Sequence, residues 1–206
     1  VSPSQRFGTS ERFKNEVAAE LTAVLAFLAI KNNDKVGLII FSDHVEQYIP
    51  PKKGRAHVWK IIRSILTHEG SGKTTDIKQA LNFLNQVHKR KSTCFLVSDF
   101  FAEDYDKALR SSKKIHDMVS FHMKDPRESE LPACGILELI DTETLELISV
   151  DMNEKNKKEF ARLEKERLTQ LKTLFVKQGI DLITIDTHKP IVPPLLAYFK
   201  KRERGR

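Results

Sequence analysis

Residues 91–101 read KSTCFLVSDFF. The run is apolar, β-branched and aromatic; it is entered through the basic residues His88, Lys89, Arg90 and Lys91 and left through Ser98 and Asp99. A short apolar run bounded in this way predicts a strand buried on both faces, as in the middle of a parallel sheet. The acid at its carboxyl end then stands where open α/β sheets bind ligands, in the crevice beyond the strand ends. Asp99 is therefore the first candidate for a functional residue. The competing reading makes it a cap for a helix starting near Asp104, or a turn residue.

Upstream of this strand, residues 11–31 place Phe13, Val17, Leu21, Val24, Leu25 and Leu28 at intervals of three and four. That spacing predicts a long amphipathic helix capped by Ser10, apolar all round near its end and the most buried helix of the fold. VGLIIFS (36–42) reads as a second strand buried on both faces, and 44–49 as a short edge strand ended by Pro50 and Pro51. Residues 55–66 and 76–87 carry apolar residues at helical spacing. Downstream, the pattern predicts a helix over 104–115, a strand over 118–123 and the loop KDPRESELP (124–132). A hairpin over 135–150, turning at 141–144, comes next. It is followed by a charged helix over 153–178 closed by Gly179, a strand over 180–185 and a helix over 192–201. Helices alternating with apolar strands predict one α/β domain over 1–206. Its sheet is doubly wound and mostly parallel, flanked by helices, with a short antiparallel edge strand and an added hairpin.

With 206 residues and 40% hydrophobic content the chain can bury one sizeable core. The longest membrane-span candidate, 17–30, is interrupted by Glu20 and Thr22 and is too short. The chain opens at Val1 rather than a methionine, so a fragment with its true start upstream is expected. Cys94 and Cys134 give no disulfide framework and suit a reducing compartment, with the cytoplasm expected. The net charge of +7 is largely spread through mixed-sign helices, which read as solvated faces, and through the tail KKRERGR, a weak anchor taken alone. The seven histidines lack zinc spacing, and no nucleic-acid signature accompanies the charge, so a specific nucleic-acid partner is not expected. Trp59 and the phenylalanines are expected to pack.

Residues 70–74, GSGKT, look like the end of a phosphate-binding loop, but Thr67 stands where that loop needs a glycine, and the segment leaves a helix rather than a strand. The glycines read instead as a tight reversal. A different set of oxygens is more suggestive: Ser2 and Ser4 in the opening loop, Thr75 (beside Thr74) ahead of a helix, and Asp99 beyond the central strand. Hydroxyls with a carboxylate form a hard donor set suited to Mg²⁺ with retained waters. Taken singly, Ser-x-Ser is a common loop sequence and Thr75 a plausible helix cap.

The segments SPSQRFGTSERFKNEVAAELTAVLAFLAIKNNDKVGLIIFSDHVEQYIPPKKGRAHV, TTDIKQAL, FLVSDFF, HDMVSFHMKDPRESELP and FKKRERGR cover nearly the whole chain. Through them it resembles the bacterial domain-of-unknown-function family fifty-eight, whose core is a von Willebrand factor type A-like domain. The resemblance implies a Rossmann-like sheet and a metal-ion-dependent adhesion site built from Asp-x-Ser-x-Ser, a threonine and a distal aspartate. Ser2, Ser4, Thr75 and Asp99 would ligate Mg²⁺ or Mn²⁺. The leading aspartate would precede Val1, and the first strand would be missing with it, so the truncated chain would bind the ion poorly. The resemblance further implies a non-enzymatic adaptor working with a MoxR-type AAA+ ATPase or its client, with 125–128 as a partner surface or a braced turn. The alternative is a Mg²⁺-dependent hydrolase or phosphatase using the strand-end acids Asp43, Asp99 and Asp186, with His188 to carry the proton.

Overall fold

The computed structural model describes residues 14–72, 74–125, 136–140, 147–151 and 153–204. The chain runs α1 (Lys14–Lys31), β1 (Val36–Phe41), β2 (Val45–Lys52), α2 (Arg55–Leu66), α3 (Ile77–Val87) and β3 (Thr93–Ser98). It continues through α4 (Asp106–Ile115), β4 (Asp117–Lys124), β5 (Ile136–Ile140), β6 (Leu147–Asp151), α5 (Glu154–Gln178), β7 (Asp181–Asp186) and α6 (Val192–Arg204). Three hydrogen-bonded units result among the described residues: the antiparallel pair β1–β2, the parallel sheet β3–β4–β7, and the hairpin β5–β6.

The parallel sheet is covered on both faces because its strands are apolar at both parities. On one face Leu96, Met118 and Ile180, the last just ahead of β7, meet Ile77 and Leu81 of α3, Leu109 of α4, and Leu171 and Phe175 of α5. On the other, Val119, Phe121, Met123 and Ile185 meet Val17, Leu21 and Leu25 of α1, Ile191 just ahead of α6, and Leu195 and Tyr198 of α6. Adjacent residues Met118 and Val119 enter opposite layers, as the two-residue period of a strand requires. β4 lies between β3 and β7, in register from Thr93↔Asp117 to Ser98↔His122 and from Val119↔Asp181 to Lys124↔Asp186.

Five expectations change. β1, read from its apolar run as buried on both faces in a parallel setting, pairs antiparallel with β2, and of its residues only Ile40 is buried. Pro50 and Pro51 do not end β2, which runs on to Lys52; β2 pairs only with β1 among the described strands, and its register shifts between Val36↔Lys52 and Leu38↔Ile49. An edge position with a bulge tolerates residues that cannot donate. The end of α1 is not wrapped in apolar neighbours: Phe27 is 67% exposed, two residues and thus about 200° round the helix from buried Leu25. Trp59 does not pack but is 69% exposed. Glu164, in the charged helix read as solvated, is buried. The hairpin pairs as expected, Ile136↔Asp151 to Ile140↔Leu147, with its turn residues outside the described set.

The segment after α2 explains its resemblance to a phosphate loop. The backbone N–H groups of Ser71 (3.1 Å) and Gly72 (3.2 Å) both donate to Glu46 Oε1, and His68 Nε2 meets Glu46 Oε2. Those amides therefore cradle an anion supplied by the chain itself. Burial works to raise the Glu46 pKa, but hydrogen bonds from Ser42, His68 and the Gly72 amide outweigh it and bring the carboxyl down to about 2. Position 72 has no room for a side chain, since a Cβ there would lie 2.1 Å from Ser42 Oγ and 2.6 Å from Asp43 Oδ1. Gly179 closes α5 in the left-handed conformation, φ 60°, where a Cβ would meet only the flexible end of Lys113 at 2.6 Å. Gly72→Ala is therefore expected to cost about 2–3 kcal/mol and Gly179→Ala about 1 kcal/mol, measured by urea unfolding. Equal losses would contradict the packing difference.

Candidate functional site

β3 delivers Asp99 to the carboxyl edge of the parallel sheet, where it is 1% exposed. It does not cap α4, whose N-cap is Tyr105 without a side-chain cap. Instead its Oδ2 pairs with Lys14 Nζ at 3.4 Å, and Lys14 is itself 1% exposed at the start of α1. Two side-chain-to-backbone bonds shape the turn that follows: Phe100 N–H donates to Ser98 Oγ (3.1 Å) and Phe101 N–H to Asp99 Oδ1 (3.5 Å). Between them Phe100 takes a left-handed φ of 57°, a conformation a non-glycine residue adopts only under such local constraint.

That turn sends Phe100 into the core and Phe101 outward. Phe100 stacks edge-on against Phe175 of α5 at 5.1 Å, whereas Phe101 is 49% exposed. Arg167 of α5 covers the Phe101 ring with its guanidinium at 4.0 Å, and Lys14 Nζ lies 5.7 Å from the same ring. Arg167 also donates to the Asp99 backbone carbonyl at 3.4 Å and forks onto both Glu164 oxygens at 2.8 and 2.9 Å. Asp99, at the end of β3, thus sits among two cations and one further carboxylate contributed by α1 and α5.

His122, paired in register with Ser98, completes the buried layer beneath. Its Nε2 has no hydrogen-bond partner among the described residues, and its pKa is pushed down to about 4, first by burial and then by the positive field of Arg167, Lys14 and Lys124, against the opposing pull of Asp99. The imidazole is neutral at physiological pH.

Thr75 is half-buried in the segment before α3. It is not the cap of that helix, because the Asp76 carboxylate accepts from Gln79 N–H at 2.8 Å. The Asp76 N–H donates to Ser42 O at 2.7 Å, tying the segment to the end of β1. Ile77 beyond Thr75, Phe41 ending β1, and Phe100 beside Asp99 all belong to one apolar cluster. The loops bearing Thr75 and Asp99 therefore flank a common core. Ser2 and Ser4 lie outside the described residues. Asp125 is fully buried, so it is not a surface group, and 126–128 lie outside the described residues.

The other strand-end acids serve their own neighbourhoods. Asp43 Oδ1 meets His44 Nδ1 at 2.5 Å and accepts from Ser42 Oγ at 3.2 Å. Asp186 accepts from His188 N–H at 3.0 Å and pairs with Lys189 at 3.0 Å. Among the described residues, no group of three or more His, Cys, Asp or Glu is placed to hold a metal ion. Asp99 and Thr75 alone are too few donors for a hexacoordinate cation, and the Asp99 charge is already balanced by a buried ammonium. The described part of the site does not by itself fit a divalent ion.

Sequence reasoning missed Lys14, His122, Glu164 and Arg167. Lys14 is one cation among many at a helix start. The Glu164–Arg167 spacing of three did offer a signal, since it permits a paired fork, but the same spacing recurs along the solvated face of α5.

The fold and edge site describe an α/β domain with a charge-compensated carboxylate at the carboxyl end of a parallel sheet. The chain belongs to the family described as "Protein of unknown function DUF58", whose model matches residues 1–170. It is 24% identical over 208 residues to uncharacterized proteins of Mycobacterium tuberculosis (strain H37Rv) and Mycobacterium bovis, covering 100% of this chain and 66% of each relative. The chain thus spans just under two thirds of the length of those relatives. An uncharacterized protein of Mycobacterium avium is 22% identical over 160 residues, 76% of this chain and 95% of that protein. Among solved structures, the conserved hypothetical protein BatB from Bacteroides thetaiotaomicron superposes with a TM-score of 0.55 at 18% identity, over 91% of this chain and 87% of that one. An aerotolerance-related membrane protein from Bacteroides fragilis, carrying multiple mutations to serines, superposes with a TM-score of 0.55 at 17% identity, over 90% and 87%. Among the described residues no helix is long and apolar enough to cross a membrane.

The neutral state of His122 gives a pH prediction. In the unfolded chain an imidazole titrates near 6.5, in the fold near 4, so between these values the unfolded state binds more protons and stability falls as pH falls. Between pH 6.5 and 5 this group is expected to remove about 2 kcal/mol, and His122→Gln to flatten that part of the profile. Chemical denaturation across that range checks it; an unchanged slope in the variant would show that His122 is not the group responsible.

Proposed function

We propose that the chain is a non-enzymatic protein-interaction module of the von Willebrand factor A-like kind, meeting its partner at the carboxyl edge of the parallel sheet. The observation that carries this reading is the Asp99–Phe101 turn: a buried carboxylate fixed by Lys14, followed by a half-exposed aromatic ring held under the Arg167 guanidinium. Pre-ordered aromatic and arginine side chains on a rigid edge are what protein partners use as anchors. The resemblance of the sequence to its family adds the expected partner, a MoxR-type AAA+ ATPase or its client, for which this chain would act as an adaptor.

The cation expected from that resemblance, Mg²⁺ or Mn²⁺, would need Ser2 and Ser4 in addition to Thr75 and Asp99. Bound there, it would offer an open coordination position to a partner carboxylate. Lys14 sets the condition for this, because its ammonium already supplies the positive charge at Asp99. The chain's own residues do the rest: Lys14 holds the carboxylate, Ser98 and Asp99 fix the turn, and Arg167 orients Phe101.

Two experiments test the reading. Phe101→Ala is expected to lower capture of a co-expressed MoxR-type ATPase about tenfold while changing stability little, since the ring is half-exposed; undiminished capture would move the contact elsewhere. Lys14→Met strands a buried carboxylate and is expected to cost about 3 kcal/mol. If Asp99 belongs to a cation site, Mn²⁺ should restore much of that loss and bind the variant more tightly than the parent, as followed by calorimetry. Absence of both effects would remove the cation from the proposal and leave the protein contact standing.

A further inference from the structure

Residues 47–68 contain no aspartate or glutamate, yet they carry Lys52, Lys53, Arg55, Lys60 and Arg63, five positive charges against a net charge of +7 for the whole chain. All five are exposed, and none forms an ion pair with a described residue. The stretch comprises the end of β2, the Gly54 turn and α2. The roll of α2 is fixed from beneath: Val58 and Ile61 are buried, His57 Nε2 is 2.8 Å from Val36 O, and Gln47 Nε2 donates to Ser64 Oγ at 3.4 Å. The outward face is therefore a fixed one. At 100° per residue, Arg55, Trp59, Arg63 and Leu66 fall within an arc of roughly 80° on it.

Two large apolar side chains share this basic arc, Trp59 at 69% exposure and Leu66 at 63%. Their juxtaposition with exposed cations selects among polyanions. A nucleic acid would use the tryptophan for stacking but has no complement for an exposed leucine beside it. An anionic bilayer surface matches both: the indole sits at the headgroup level, the aliphatic side chain enters the acyl boundary, and lysine and arginine meet the phosphates. Charge and apolar burial then act together, as reversible peripheral attachment requires.

We propose that the outward face of α2, with Trp59 and Leu66 ringed by Lys52, Lys53, Arg55, Lys60 and Arg63, docks on an anionic phospholipid surface. The contact is independent of the edge site around Asp99, which other elements build.

Trp59 is the chain's single tryptophan, so its emission reports this face directly. The chain is titrated with phosphatidylcholine vesicles and with vesicles of phosphatidylcholine and phosphatidylglycerol at about two to one, near physiological ionic strength. Emission is expected to shift to the blue, and the protein to sediment, only with the anionic vesicles. Lys60→Glu combined with Arg63→Glu should weaken that binding by about tenfold or more. Leu66→Ser, which keeps the tryptophan, should weaken it with no change in helicity by circular dichroism. An absent blue shift on anionic vesicles overturns the proposal, as does binding indifferent to the charge reversal. So does an equal emission shift with duplex DNA that the Leu66→Ser variant retains, which would make the face a general polyanion site.

Discussion

The fold around its candidate site depends on one buried ion pair, Lys14 with Asp99. An ammonium and a carboxylate withdrawn from water gain little net stability, since desolvation offsets most of their attraction, but removal of either partner is costly. Such a pair acts more as a specification than as glue. It fixes the start of α1 at the end of β3, two places far apart along the chain and on different layers of the molecule. It also sets the charge seen by everything nearby, including the imidazole of His122 and the Phe101 ring.

Much of the architecture was legible because apolar periodicity is a local signal. Strands β1, β3, β4 and β7 announce themselves as short apolar runs, and α2 begins and ends where its spacing says it should. The left-handed cap at Gly179 was equally plain, since glycine after a charged helix has few other uses. The fates of Pro50, Pro51 and Trp59 were not legible. Whether a proline is tolerated depends on which edge of a strand is unpaired, and whether a tryptophan packs depends on which way its helix rolls; both are tertiary facts.

The site was half legible for the same reason. Asp99 stood out because a strand end is a local feature with a general chemical meaning. Its partner did not, since any of the basic residues could in principle reach a buried carboxylate. Glu164 and Arg167 were hidden within a helix whose remaining charges behave as the pattern suggested, Arg162 bridging Glu159 and Glu166 in solvent. The Glu46 cradle shows a related ambiguity: a glycine-rich turn with converging amides signals an anion, but sequence alone does not say whether that anion is a ligand or a side chain.

The separation of β1–β2 from β3–β4–β7 among the described residues has a mechanical side. Thr75 is coupled to the first unit through the Asp76–Ser42 bond, while Asp99 belongs to the second. Anything that grips both loops at once would act as a rivet, fastening one separately hydrogen-bonded unit to the other.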